Sequence, residues 1–284
     1  MRKLLIIILF LLFVSNRTSI LASGIEAINI WTNTIFPLLF PTFILSDLLI
    51  ASGIVNTITK YLGKIYSKIF KLTPYGMYIF LISLISGTPT NAKNLSILKN
   101  KGYINDDELT RILCTCIFFN PLLIISMSNI KILLILWISN ILAGIIMNLG
   151  NTYKPINVEL IKADFSLSSS IENNINILLN ILGTIALFLM LANILPIKNI
   201  FLKVLLSGIF EVTNGLNKVN LFFKGIWIYD YLIILILSLG GLSIFIQIKS
   251  ILKDTSLNTK YFLISRLLCA NIGFIILTCI SLLA

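Results

Sequence analysis

Residues 86–93 read Ser-Gly-Thr-Pro-Thr-Asn-Ala-Lys and follow a nearly pure apolar run, MYIFLISLIS. Gly87 and Pro89 stop a helix, and Ser86, Thr88, Thr90 and Asn91 offer hydrogen bonds where it stops. Lys93 adds a cation, which faces an anionic solute group, pairs with Glu211 or Asp47, or snorkels to headgroups. Glu211 lies in VLLSGIFEVTNGL, and a carboxylate at bilayer depth is costly enough to need a partner or a cavity. With Thr213 and Asn214 beside it, three roles are open: binding a coupling ion, carrying a proton, or forming a structural pair. Asp47, Asn120, Ser243 and Gln247 can each bond a ligand, and each can equally hold helices together. For Asn120, next to Pro121, satisfying backbone groups freed by the proline is a full alternative.

These side chains do not describe an enzyme. The chain has no histidine, and Cys114, Cys116, Cys269 and Cys279 all sit in apolar runs without a Cys-x-x-Cys pair. No zinc, haem or His-based catalytic site is expected, no nucleophile–base pair stands out, and no cofactor is implied.

The elements that must position the polar groups are helices in lipid. Hydrophobic residues make up 57% of the 284 and charged residues 12%, with a mean hydropathy of +0.99. Runs such as IKILLILWISNILAGIIMNLG and INILLNILGTIALFLMLANILP approach the ~20 apolar residues that cross a bilayer core. Their period is helical, not the short alternation of an outer-membrane barrel. The net charge of +11 suits lysine-rich cytoplasmic loops and anionic headgroups. Nothing resembles a nucleic-acid recognition motif.

Along the chain, Arg2 and Lys3 precede LLIIILFLLFV, which reads as a signal-anchor-like first span over 1–23, with a signal peptide as the alternative. Pro37 and Pro41 bend the next span. Lys60, Lys64 and Lys68 then line one face of an amphipathic interfacial helix on the cytoplasmic surface. Residues 77–85 are too few to cross ~30 Å of hydrocarbon, so the run is a half-helix stopping inside the membrane. The chain returns through NAKNLSILKNKG, giving a hairpin at 77–101. Asn120-Pro121 breaks the following helix near its centre. Arg111 and Arg266 are expected at helix starts near the cytoplasmic face, and Asp230 at an interface.

The organisation expected is a first half over 24–150, a polar connecting loop over 151–173, and a second half over 174–284 with a broken segment at 226–254. Residues 86–114 can be laid against 240–269 on a glycine break, Ser-Ile-Leu-Lys and Arg-x-Leu-Cys. Paired breaks of this kind point to a transport-type site. Lysine counts favour parallel halves, whereas paired hairpins favour inverted ones. The deciding segment is IKNIFLKVLLSGIFEVTNGLN, whose failure to cross would flip the second half.

Together GIEAINIWTNTIFPLLFPTFILSDLLIASGIV, SGTPTNAKNLSILKNKGYINDDELTRIL, FFNPLLI and GIFEVTNGLN resemble the YlbJ-type sporulation integral membrane proteins, within the wider nucleoside-recognition, or gate, domain group. The resemblance runs from about Gly24 to the C-terminus. Ser86, Gly87, Pro89, Ala92 and Lys93 fit the family's first-hairpin pattern, while Thr88 and Asn91 replace an aromatic and a glycine common there. It implies a multi-pass cell-membrane protein connected with endospore formation.

The reading is an all-α polytopic membrane protein of about eight transmembrane or half-spanning helices, with two broken-helix hairpins and two related halves. Its binding set is Ser86, Gly87, Thr88, Pro89, Thr90, Asn91, Lys93, Asn120, Glu211, Asn214, Ser243 and Gln247. The partners are the lipid bilayer, a small polar solute or ion, and a second copy or other sporulation membrane proteins. The rival reading is a structural protein of the spore-forming membranes that keeps the fold without transport.

Overall fold

The computed structural model describes residues 2–152 and 165–283, all helical apart from turns and short extended links. In chain order the helices are α1 Arg2–Ser15, α2 Arg17–Ile30, α3 Phe36–Ala51, α4 Ile54–Phe70, α5 Tyr75–Ser86, α6 Thr90–Asn100, α7 Asp106–Thr115 and α8 Pro121–Met127. Then come α9 Ile130–Met147, α10 Leu167–Ile194, α11 Ile200–Phe210, α12 Val212–Phe222, α13 Tyr229–Leu239, α14 Gly241–Ile251 and α15 Thr259–Leu283. Among the described residues, five stretches are long and apolar enough to cross a membrane, or six if α4 and α5 count as one bent span. The protein is an all-α, multi-pass membrane protein.

Local sequence explains where the helices start. Side chains of Asn105, Asn120, Asn129 and Asn199 accept hydrogen bonds from first-turn amides of α7, α8, α9 and α11. Asp106, Asp107 and Glu108 add negative charge to the first turn of α7, and Pro121 opens α8, where its missing N–H costs nothing. Between α2 and α3 the chain takes a π-helical turn, Trp31–Ile35, just ahead of Pro37 and Pro41. Prolines cannot donate to the preceding turn, and a widened turn absorbs that loss.

The α2–α3 span and α10 run antiparallel. Asn193 donates to Ser23 Oγ at 3.0 Å, Trp31 Nε1 to the Leu178 carbonyl at 2.8 Å, and Asn174 to Asp47 at 2.9 Å. Ala27, Leu39 and Phe43 interlock with Leu178, Ile181 and Leu189 along this seam. α15 likewise packs along α9.

Hydrogen bonds fix which helix ends share a side of the bundle. At one end, the Thr73 amide meets Glu108, Asn151 meets the Lys71 carbonyl, Arg111 meets Asn148, and Tyr261 caps α9 through the Met147 carbonyl. Exposed Lys60, Lys64 and Lys68 of α4 lie at this end, which we call the basic end. α4 lies across it, since the chain turns by 97° between α4 and α5. Gly53, at φ +75°, makes the turn into α4. At the far end Lys131 pairs with Asp230 at 3.2 Å, and Asn220 donates to the Met127 carbonyl.

The boundary placed at residue 23 falls inside α2. Residues 153–164 of the expected polar loop lie outside the described residues, and from Leu167 the chain is helical. Within 226–254, Gly240 at φ +78° separates α13 from α14. There α13 and α14 nevertheless run as one span of 23 residues. The tight fold-back in this part of the chain is at Glu211: a Cβ on Gly215 would lie 2.3 Å from Gly208 Cα. In one continuous helix residues seven apart sit about 10 Å apart, so α11 and α12 turn back on each other. Gly208 and Gly215 lie outside the correspondence of 86–114 with 240–269.

Candidate functional site

The first break is built backbone against backbone. α5 has 12 residues, about 18 Å of helix, and ends inside the bundle. Gly87 takes φ +75°, and a Cβ there would stand 2.4 Å from the Asn120 amide nitrogen. The Thr88 amide donates to the Phe118 carbonyl at 2.8 Å. The link between α5 and α6 is thus bonded to the non-helical link between α7 and α8.

Two amides secure that contact. Asn91 donates to the Cys116 carbonyl at 2.8 Å and to Thr88 Oγ1 at 3.1 Å, and accepts from the Ala92 amide at 2.7 Å. Asn120 caps α8 by accepting from the Leu122 and Leu123 amides, and donates to Thr42 Oγ1 at 3.0 Å. Thr42 in turn bonds the Leu38 and Leu39 carbonyls beside Pro41. Ser86 bonds back to the Ile82 carbonyl.

Glu211 stands between α11 and α12 and is 3% exposed. Its carboxylate accepts from Thr213 Oγ1 at 2.8 Å and from the Asn214 amide at 2.7 Å, so it caps α12. Gln247 of α14 donates to Thr184 Oγ1 of α10 at 2.7 Å.

These parts meet at one cavity of about 50 Å³. Its polar margin is Thr88, Asn120, Glu211, Thr213 and Gln247, and Pro89 lines it too. The rest is apolar: Leu39 from α3, Ile181 and Ile185 from α10, Phe119 and Leu237 among them. Of the expected set, Thr88, Pro89, Asn120, Glu211 and Gln247 line this cavity. Ser86, Gly87, Thr90, Asn91, Asn214 and Ser243 are buried close by in sequence but do not line it. Thr90 Oγ1, Asn214 Nδ2 and Ser243 Oγ have no hydrogen-bond partner among the described residues.

Lys93 belongs to a different cluster. Its ammonium lies 3.1 Å from both oxygens of Asp47 and 3.3 Å from Asn174 Oδ1. Asp47 also accepts from Ser170 at 2.7 Å. Of the two carboxylates open to Lys93, the structure selects Asp47. A larger cavity of about 370 Å³ is lined by Asp47, Lys93, Asn94, Ser170 and Asn173.

Sequence reasoning missed Ser170 and Asn174, which fall in or beside the stretch read as a loop. Their signal is the i, i+4 spacing, which sets both on one helix face. It also missed Lys218, whose ammonium lies 2.7 Å from Ser207 Oγ and 3.0 Å from Asn193 Oδ1. Arg266, in the first half of α15, is 2% exposed. It donates to the Cys114 carbonyl at 3.0 Å and to Asn140 at 2.8 Å, satisfying carbonyls left open where α7 ends. Among the described residues no group of three His, Cys, Asp or Glu side chains could hold a metal ion.

No family model matches the chain, and no solved structure does. The sporulation integral membrane protein YlbJ of Bacillus subtilis (strain 168) is 25% identical over an alignment of 295 residues, spanning 85% of this chain and 72% of the relative. The chain is homologous to that Bacillus sporulation membrane protein over most of its length.

Proposed function

We propose that this is a transporter-like gate protein of sporulation, moving a small polar solute or ion through a site at the helix breaks. The observation that carries the reading is convergence. Breaks at 88–89, 119–120 and 211–213, far apart in sequence, border one cavity together with Gln247. Irregular backbone at membrane depth is tolerated where it is buried in protein or lines a cavity, and broken helices are how many transporters build their sites.

The helix order supports two related halves in opposite orientation. One is the α2–α3 span, the α5–α6 hairpin, the broken α7–α8 span and α9. The other is α10, the α11–α12 hairpin, the broken α13–α14 span and α15. That makes eight transmembrane or half-spanning units. The first hairpin is rooted at the basic end beside Lys71 and Glu108, the second at the far end beside Met127. Rocking such halves about a central site gives access from one side at a time.

The binding residues in this reading are Thr88, Asn120, Glu211 and Gln247. Ser86, Gly87, Pro89, Thr90, Asn91, Asn214 and Ser243 shape the breaks around them, and Lys93 acts at a distance from the cavity. The relative's role in sporulation, stated in its name, is the process in which we place the protein. One observation favours the structural alternative. The cavity is small and largely apolar, and Glu211 already has two hydrogen-bond donors.

The test is complementation of a Bacillus strain lacking the relative, with wild type, Glu211→Gln and Gln247→Leu at matched membrane levels. Wild-type rescue with failure of both variants supports a chemical role for the cavity. Normal spore yield from both leaves the structural alternative.

A further inference from the structure

The two cavities lie on one line. Three elements, α3, α6 with its preceding tip, and α10, contribute to both. From the larger to the smaller cavity, α3 gives Asp47 and then Leu39, and α10 gives Asn173 and then Ile181. Each step is eight residues, about 12 Å along a helix. On the third side the order is Lys93 and then Pro89. Between the two levels sit Phe43 and Leu178, both fully buried, and above them the Asp47–Lys93–Asn174 cluster. The larger cavity is at the basic end, because Asp47 is one turn from the end of α3 and Ser170 one turn from the start of α10.

The geometry points to a one-sided access route: the larger cavity is an outer polar vestibule for a small polar solute or ion, and the Lys93–Asp47 pair is the latch between it and the inner cavity. The latch joins the α5–α6 hairpin to the α3/α10 wall through one side chain. Lys93 is 19% exposed and Asp47 14%, so water reaches the pair from above while its floor is apolar. A pair at such a boundary can be broken by a solute ion that competes for either charge, and its hydrogen bonds to Ser170 and Asn174 give both states a partner. Opening moves the hairpin, together with the α7–α8 link bonded to its tip, away from α3 and α10, the wall from which Phe43 and Leu178 come. The inference rests on the reading of the inner cavity as a solute site.

The test is labelling of single cysteines by a small, charged, membrane-impermeant methanethiosulfonate in vesicles sealed with the basic end outward or inward. Cys279 is replaced, being the exposed cysteine among those described. Ala51→Cys, in the vestibule, labels from the basic end in every background. Leu39→Cys, in the inner cavity, is protected in the parent. With Lys93→Met or Asp47→Asn it labels at least tenfold faster, from the basic end only. The exchange of the two charges, Asp47→Lys with Lys93→Asp, restores protection, which separates loss of the latch from loss of the fold. Protection of Ala51→Cys, or a Leu39→Cys rate that is unchanged or raised equally from both sides, overturns the route. Labelling does not depend on transport. A latch that behaves as described, with Glu211→Gln still sporulating normally, would therefore sink the transport reading alone.

Discussion

Gly87 and Asn120 meet backbone to backbone, with the ideal Cβ position of Gly87 2.4 Å from the Asn120 nitrogen and 2.8 Å from the Phe119 carbonyl carbon. Both of the irregular segments that border the inner cavity on the first side depend on this contact. Neither can move without the other, because the Thr88 amide also bonds across it.

Gly87→Ala is therefore expected to be far worse than a glycine substitution at similar φ elsewhere. Gly102 has φ +77° and nothing within 4 Å of its Cβ position. Gly102→Ala bears only the left-handed backbone penalty, about 1 kcal/mol. Gly87→Ala adds a clash with backbone that cannot rotate away, for a total of about 3 kcal/mol or more. Thermal unfolding of both variants in detergent checks the order. Equal losses would show that the two breaks are free to part.

The α11–α12 crossing makes a matching prediction. The Cβ position of Gly215 lies 2.3 Å from Gly208 Cα, and that of Gly208 lies 2.5 Å from Ile236. Small residues let helix backbones approach this closely in membranes. Gly215→Val should spread the hairpin and abolish folding or complementation. Gly183→Ala, on α10 with nothing within 4 Å, should be neutral or stabilising by a few tenths of a kcal/mol. A tolerated Gly215→Val would mean the hairpin is not closed in the membrane.

Arg266 gives the third. It and Asn140 together satisfy the Cys114 and Thr115 carbonyls at the end of α7. Arg266→Met leaves these acceptors short of donors and is expected to cost about 2–3 kcal/mol. Arg266→Lys should recover only part: Nη2 makes both of these bonds, and an ammonium has no second nitrogen to replace the bond Nε makes to Ser265 Oγ. Asn140→Leu should couple to Arg266→Met by more than about 0.5 kcal/mol in a double-mutant cycle. Additive losses would separate the two residues.

Which parts of this were readable in advance follows from range. The breaks at Gly87–Pro89 and Asn120–Pro121 were legible because glycine, proline and a short apolar run are local signals. Glu211 was legible as an anion out of place in an apolar segment. Its use as a helix cap rests on Thr213 and Asn214, which follow at once but were read only as neighbours, and its place in one cavity with Thr88 was not legible. The two residues are more than a hundred apart in sequence. The Asp47 partner for Lys93 was one of two candidates, and only the helix packing chose between them. Arg266 was legible as a cation near the start of a helix, but not as a buried one. Its acceptors, at 114 and 140, are fixed by how α7 ends.

The fourth prediction concerns sidedness. Lys60, Lys64, Lys68, Lys71, Lys99, Lys101, Lys253 and Lys260 flank the basic end, against Lys131, Lys198, Lys203 and Lys224 at the far end. An excess of Lys and Arg marks cytoplasmic loops, and Asp and Glu count for little. The basic end should therefore face the cytoplasm, with α4 lying on anionic headgroups there. Lys64→Cys on α4 and Trp227→Cys in the link between α12 and α13 report on opposite sides. Trp227 is 80% exposed, so the reagent has access. In intact cells a membrane-impermeant thiol reagent should modify Trp227→Cys and spare Lys64→Cys, and inside-out vesicles should reverse the pattern. The converse result would invert the protein, placing the vestibule and its latch on the outer side. Modification of both positions from one side would show that the α11–α12 hairpin and the α5–α6 hairpin enter from the same face, and the opposed arrangement of the halves would fall with it.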